Sequence, residues 1–387
     1  MAAAVLIEEG ADSGGKLLKR QVVESPYRHK KPCLYNTFKF LLLLSTAIII
    51  LTCTLSSNSQ SWWESIAEQK HGFVTGLPLF TPPPSYHDQT SQRINNETKW
   101  NEIHTTTVNP YHLAYPRNYH FIMDHTEVCK AKAPFLVLMV AVATSDTSAR
   151  DAIRRTWGNE TLVQGELVKT LFLLGLPGGD DAEQKQQKLR AENLLYNDLI
   201  QSNFMDTYLN LTIKTMVIMD WLATHCPGAA YAMKIDADMF LNVDNLVIML
   251  KKPGIPKQNY LTGMLMRNRD VVRFKDSKWY VSEELFPDPV YPTYALGMGY
   301  VFSNDLTEKF VQASKAIKPF NIEDAYIGMC MKNLGLAPMS PPDPSQFKAY
   351  NTRYNRCEFS QVITYILGSS QQLVKYWTDF KKPGSPC

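Results

Sequence analysis

Residues Phe38–Leu55, FKFLLLLSTAIIILTCTL, form an 18-residue apolar run whose only charge is Lys39 near its edge, and no further charge follows until Glu64. A run of this length and composition reaches across a bilayer, at the short end of the usual range. It divides the chain between two compartments before any other element is considered. Arg28, Lys30, Lys31 and Lys39 lead into it, whereas no Lys or Arg occurs between Leu55 and Lys70. That asymmetry places the N-terminal tail in the cytosol and everything after the span on the far side. Trp62 and Trp63 suit the far interface. A cleaved leader would begin its apolar run earlier, and the SSNSQ after the span lacks a small-x-small cleavage pattern. The expectation is an uncleaved anchor over 38–55, preceded by a cytosolic tail over 1–37.

The far side of such a membrane is oxidising in the secretory route, which permits disulfides. Cys33 falls on the tail and Cys53 in the span, leaving Cys129, Cys226, Cys330, Cys357 and Cys387 beyond it. An odd count leaves at least one of these without a partner in the chain, and spacing does not choose the pairing. Asn96, Asn159 and Asn210 each open an N-x-Thr sequon on the same side, so they are candidate glycosylation sites. The net charge of +3 over 387 residues gives no footprint for nucleic acid. Residues 56–128 carry Pro82-Pro83-Pro84 and no sustained period, the pattern of a semi-extended stem.

From residue 129 to 387 the pattern is that of a folded domain. Phe135–Ala143 and Val168–Leu176 are continuous apolar runs of strand length, as expected for strands covered on both faces. A helix is predicted over 182–199 and another over 213–224, closed by Cys226-Pro-Gly. Tyr231–Ile235 reads as a short strand running into Asp236-Ala-Asp238, followed by a helix over 242–250 and a strand over 260–265. Alternating strands and helices predict an α/β domain with a mostly parallel central sheet. Ligands of such sheets sit beyond the carboxyl ends of the strands, where the Asp pair falls.

Asp236 and Asp238 are two residues apart, so in an extended segment both carboxylates project to one side. Two hard oxygen donors there suit Mn²⁺ or Mg²⁺ shared with a substrate diphosphate. Glu323 and Asp324 open an apolar, helix-like stretch. They are either first-turn acids favoured by the helix dipole or a source of a general base. Arg150, Arg154 and Arg155 follow the first strand, where guanidinium groups fork onto phosphate or lie along a solvated helix face. Trp279, Tyr291 and Tyr294, with Gly297, combine ring faces with a backbone that a sugar can approach closely, or else line the core.

Together, Arg150–Trp157, Asp206–Thr215, Lys234–Phe240, Tyr291–Tyr294 with Gly297–Tyr300, and Glu323–Gly328 resemble the β-1,3-glycosyltransferase family of β-1,3-galactosyl- and β-1,3-N-acetylglucosaminyltransferases (glycosyltransferase family 31). The match runs over roughly 135–368, and the tail, single anchor and stem are similar to that family's type II Golgi layout. The resemblance implies a GT-A type domain with a UDP-sugar donor, Mn²⁺, and inversion at the anomeric centre. It implies Asp238 as the main metal ligand, Asp236 shared between metal and nucleotide sugar, and Asp324 as the base, with Glu323 next in line. Arg150, Arg154, Trp157 and Lys214 would help hold the nucleotide, and Trp279, Tyr291, Tyr294 and Gly297 the acceptor glycan of a glycoprotein or glycolipid. The chain departs from the family pattern at Ala237, where the middle of three acids usually stands. It also has no His after His225, Tyr365 and Ile366 standing where several relatives carry one. UDP-galactose is the expected donor. UDP-N-acetylglucosamine, or binding without turnover, are the alternatives.

Overall fold

The computed structural model describes residues 113–350 and 353–387. The expected anchor over 38–55, the tail, most of the stem and the sequon at Asn96 lie outside the described residues. Among the described residues no helix is long and apolar enough to cross a membrane.

The chain runs through β1 (Phe121–Met123), β2 (Leu136–Ala141), α1 (Thr147–Arg154), β3 (Leu162–Val163), β4 (Glu166–Leu176), α2 (Ala182–Tyr196) and β5 (Leu199–Met205). Next come α3 (Leu211–His225), β6 (Tyr231–Asp236), β7 (Met239–Leu241), α4 (Val243–Lys251), β8 (Leu261–Met266) and β9 (Tyr294–Ser303). It closes with α5 (Asp305–Ser314), α6 (Glu323–Asn333), β10 (Phe347–Lys348), α7 (Arg356–Gln361), β11 (Thr364–Ile366) and α8 (Ser370–Phe380). The main sheet has the order β1-β5-β4-β2-β6-β9-β8, and a small second sheet has the order β10-β11-β7.

The fold is mixed α/β around a central sheet. Strands β5, β4, β2 and β6 are parallel, as expected for runs with no polar alternation. Leu136, Leu138 and Val140 of β2 face one apolar cluster, with α1, α4 and α8. Val137 and Met139 face the other, with α3, α5 and α6. Two features depart from the expectation. The helix over 182–199 stops at Tyr196, because Asn197 takes a left-handed φ of 53° as its C-cap, and Leu199 starts a strand instead. The aromatic and glycine segment from Tyr294 is a ten-residue strand antiparallel to both β6 and β8, so the sheet has a parallel centre and an antiparallel flank. Its glycines, at Gly297 and Gly299, hide the strand pattern from a sequence reading.

The folded unit also begins earlier than residue 129. Strand β1 pairs antiparallel with β5, the Tyr115 hydroxyl meets Ser314 Oγ at 2.9 Å, and Trp221 Nε1 donates to the Asp124 carbonyl. Of the five cysteines, Cys129 bonds Cys226 and Cys357 bonds Cys387, with Cα–Cα separations of 5.2 and 4.7 Å. Cys330 is free and buried in α6.

A buried ionic clamp joins α1 to α2. The Arg150 side chain is fully buried, and Glu192 accepts from its Nε and Nη2, both at 2.7 Å. Arg154 Nη2 donates to Glu192 as well, and Arg154 also forks onto Asp198 at 2.8 Å. Burial pushes the Glu192 carboxyl up, but the two guanidinium groups outweigh it and hold it below the usual carboxylate range. We expect Glu192→Ala, which takes the carboxylate from the fully buried Arg150 while Arg154 keeps Asp198, to lose about 3–5 kcal/mol of unfolding free energy at neutral pH. The folded-state pKa of Glu192 is depressed, so this contribution is present above its unfolded value and fades as pH falls. Urea melts of wild type and variant should therefore converge at acid pH. Parallel curves across the whole range would show that the clamp does not carry this energy.

Candidate active site

Parallel pairing of β2 and β6 sets Ala141 opposite Asp236, so the acid loop lies at the carboxyl end of the central strands. The backbone beyond it is fixed from two directions. Leu367 N donates to the Asp238 carbonyl at 2.9 Å, and Trp157 Nε1 donates to the Met239 carbonyl at 3.0 Å. Antiparallel pairing of β7 with β11 places Ile366 opposite Met239 and Tyr365 opposite Phe240, which brings the segment lacking a histidine directly beside the acid pair.

Asp238 has its carboxyl pushed up to about 6, first by burial and then by the neighbouring Asp236 charge. Two neighbouring carboxylates, one of them pushed up by burial and by the charge of the other, are a donor set that a hard divalent cation neutralises, so Asp236 and Asp238 fit Mn²⁺ or Mg²⁺. Among the described residues no group of three or more His, Cys, Asp and Glu is placed so that it could hold a metal ion by itself. The remaining coordination positions would fall to substrate oxygens and water.

Glu323 and Asp324 are indeed first-turn residues of α6, yet the helix delivers them to different environments. Asp324 is half-buried. Its Oδ2 accepts from Gly297 N at 2.9 Å and its Oδ1 from its neighbour Ala325 N at 2.8 Å. Burial raises the Asp324 carboxyl, and these two backbone donors partly offset the rise. Glu323 is buried and enclosed: the Tyr300 hydroxyl donates to Oε1 and Thr215 Oγ1 to Oε2, both at 3.2 Å. Burial pushes the Glu323 carboxyl up to about 7 against the pull of Lys234. Lys234 lies between the two acidic segments, with Nζ 2.8 Å from Asp236 Oδ1 and 3.4 Å from Glu323 Oε2.

The aromatic residues divide by exposure. Tyr291 and Tyr294 are buried and meet edge-on at 6.1 Å, and Tyr291 stacks on Phe320 at 5.9 Å. Their rings are packed into the wall of the second apolar cluster. The Tyr291 hydroxyl is buried without a hydrogen-bond partner among the described residues, and both phenols are raised by burial and then by the charge of Asp324. Trp279 is exposed, with Lys278 Nζ 4.7 Å from its ring centre and 6.0 Å from that of Tyr208. Tyr208, which no sequence feature singled out beyond its place in the 206–215 motif, is also exposed. Its phenol is raised by burial and then by the charges of Asp324 and Asp236.

The residues expected to hold the nucleotide have partners within the protein scaffold. Arg150 and Arg154 are used in the α1–α2 clamp, and Arg154 also lies 3.9 Å from the Tyr196 ring centre. Trp157 is fully buried and supports β7. Lys214 is buried and donates to Asp206 Oδ1 at 2.7 Å and to the Val142 carbonyl at 2.8 Å, tying α3 to the end of β2. These side chains shape the edge on which the acids stand. Of the sequons, Asn159 is exposed, whereas Asn210 Nδ2 donates to the Met205 carbonyl at 2.9 Å.

Comparison with known proteins bears on this arrangement. A family profile described as Galactosyltransferase matches residues 148–342, a span that holds the acid pair, Gly297 and Asp324. Beta-1,3-galactosyltransferase 2 of Pongo abelii is 38% identical over 329 residues, covering 82% of this chain and 78% of that protein. Beta-1,3-galactosyltransferase 1 of Mus musculus is 36% identical over 278 residues, covering 72% and 81% respectively. With the match extending over most of the folded unit and both acidic segments, the chain belongs to the galactosyltransferase family.

Proposed function

We propose that the protein is an inverting β-1,3-galactosyltransferase that moves galactose from UDP-galactose onto a GlcNAc- or GalNAc-terminated glycan. The domain would have GT-A organisation and face the Golgi lumen, held by the anchor over 38–55. The observation that carries the reading is the meeting of two acidic segments on one sheet edge, bridged by Lys234: the Asp236–Asp238 loop from β6, and Asp324 from α6. Relatives named beta-1,3-galactosyltransferase across most of the chain supply the sugar and the linkage.

Asp236 and Asp238 would hold Mn²⁺, which when bound neutralises charge on the departing diphosphate. Asp324 takes the proton from the acceptor hydroxyl as its oxygen bonds to the anomeric carbon. The carbon–oxygen bond to the phosphate breaks, UDP leaves with the electron pair, and the α-linked donor gives a β-linked product. The backbone N–H groups of Gly297 and Ala325 hold the Asp324 carboxylate still, and its partial desolvation raises its basicity. Glu323 suits this step less, because Tyr300, Thr215 and Lys234 already occupy its oxygens. Trp279 and Tyr208 offer the exposed aromatic surface that an acceptor sugar ring needs.

Asp324→Asn should lower turnover by about 10²–10⁴-fold, the usual contribution of a general base, with UDP affinity nearly intact. Galactose transfer to GlcNAc- and GalNAc-terminated acceptors measures the first, and calorimetry with UDP the second. Turnover within about tenfold of wild type would place the base elsewhere. Metal-dependent donor binding should weaken as pH drops through about 6, because protonated Asp238 no longer donates to a cation. An affinity for UDP in Mn²⁺ that stays level from neutral pH well into the acid range would remove Asp238 from the metal site. In a panel of UDP-sugars, release of UDP from UDP-N-acetylglucosamine in preference to UDP-galactose would overturn the donor assignment.

A further inference from the structure

Lys234 is enclosed within β6, its side chain 4% exposed, yet its ammonium reaches partners on three elements. It donates to Asp236 Oδ1 at 2.8 Å and to the Gly297 carbonyl of β9, and it lies 3.4 Å from Glu323 Oε2 of α6. Each partner adjoins a group assigned to the reaction. Asp236 is one arm of the acid pair. Gly297 donates its own N–H to Asp324 Oδ2, and Glu323 immediately precedes Asp324. The Glu323 charge is closed off by Tyr300 and Thr215, so it faces Lys234 and not an incoming substrate.

We propose that Lys234 is a positioning residue for transfer. Its ammonium locks the acid pair to the cradle of the base, and it masks the Asp236 charge where the donor diphosphate enters. The proposal rests on the galactosyltransferase reading for the identity of that diphosphate. It differs from a plain buried ion pair in one respect. A lysine that only balances Glu323 can be replaced together with Glu323 by neutral groups of similar shape, often at little cost. A lysine that positions and masks Asp236 cannot.

The test is a cycle of wild type, Lys234→Met, Glu323→Gln and the double variant, made in the full chain with Mn²⁺ present. It reads the melting temperature, UDP affinity, and kcat and acceptor KM for galactose transfer. Lys234→Met should melt earlier, because Glu323 loses its cation, and the double variant should recover most of that loss. UDP affinity should stay about tenfold or more weaker in both proteins lacking Lys234, the scale of one charge-assisted hydrogen bond. Their kcat should fall by about 10²-fold with acceptor KM little changed, since base and donor are no longer held in register. Glu323→Gln alone keeps the Lys234–Asp236 bond and should bind UDP as wild type does. A double variant that regains melting temperature, UDP affinity and turnover together would overturn the proposal and leave a structural ion pair. If the Lys234→Met proteins fail to fold, Glu323→Gln still decides: a tenfold loss of UDP affinity there overturns it. A wild type that binds UDP and transfers no galactose counts against the galactosyltransferase reading, while the UDP comparison continues to judge Lys234.

Discussion

Burial of the parallel centre on both faces is the constraint from which the rest of the molecule follows. Strand β2 has no polar face to offer, since Leu136, Leu138 and Val140 point into one core and Val137 and Met139 into the other. Helices must therefore cover both sides, and polar chemistry is left to the strand ends. In-register pairing of β2 with β6 brings Asp236 to that edge beside Ala141. The antiparallel β9 completes the arrangement. Because it enters the sheet where β6 leaves, its first residues, Tyr294 to Gly297, arrive at the same edge as the acid loop. A parallel neighbour would have put its first residues at the opposite edge of the sheet.

What this edge collects is electrostatically costly. Burial raises the carboxyls of Asp238, Glu323 and Asp324 alike, and charges removed from water are retained only where partners offset the loss. The partners differ, and so do the chemical capacities. Glu323 is satisfied by a phenol, a hydroxyl and an ammonium, which suits a fixed counter-charge. Asp324 is held by two backbone N–H groups and remains partly open, which suits a group that must accept a proton and release it. Asp238 is raised by burial and by the charge of Asp236, which Lys234 only partly offsets, and this suits a cation. Three acids within a short reach thus acquire three roles from their surroundings, with no difference in intrinsic chemistry.

Much of this was legible in the sequence, and the limits have physical causes. The β2 and β4 runs, α3, and the strand leading into Asp236 could be read because continuous hydrophobicity and period survive in one dimension. Strand β9 could not, because glycines stand where a strand pattern wants side chains. Strand β5 was hidden because a single left-handed Asn197 ends the helix that precedes it. Arg150, Arg154, Trp157 and Lys214 were legible as important residues but not by role. Whether a guanidinium meets a phosphate or Glu192 depends on a contact 42 residues away along the chain. Lys234 sat in plain view inside the acid motif, and only the fold shows that it reaches β9 and α6 at once.

The glycines that obscured β9 also set the position of the base. Asp324 and Gly328 are one turn apart on α6, so they share a face, and that face is the one docked on the start of β9. A Cβ at Gly328 would stand 2.8 Å from Tyr294 Cβ and 3.0 Å from the Thr293 carbonyl. A Cβ at Gly297 would stand 3.3 Å from Asp324 Oδ2, where the Gly297 N–H now donates to the same oxygen. Helix and strand can approach this closely only because a glycine faces the partner's side chain at each point of contact, Gly328 against Tyr294 and Gly297 against Asp324. The distance so fixed is the distance from the carboxylate to the acid loop across Lys234. The segments Tyr291–Tyr300 and Glu323–Gly328, far apart in sequence, therefore act as one device. Bulk at either glycine would displace the base without touching any group that holds the donor.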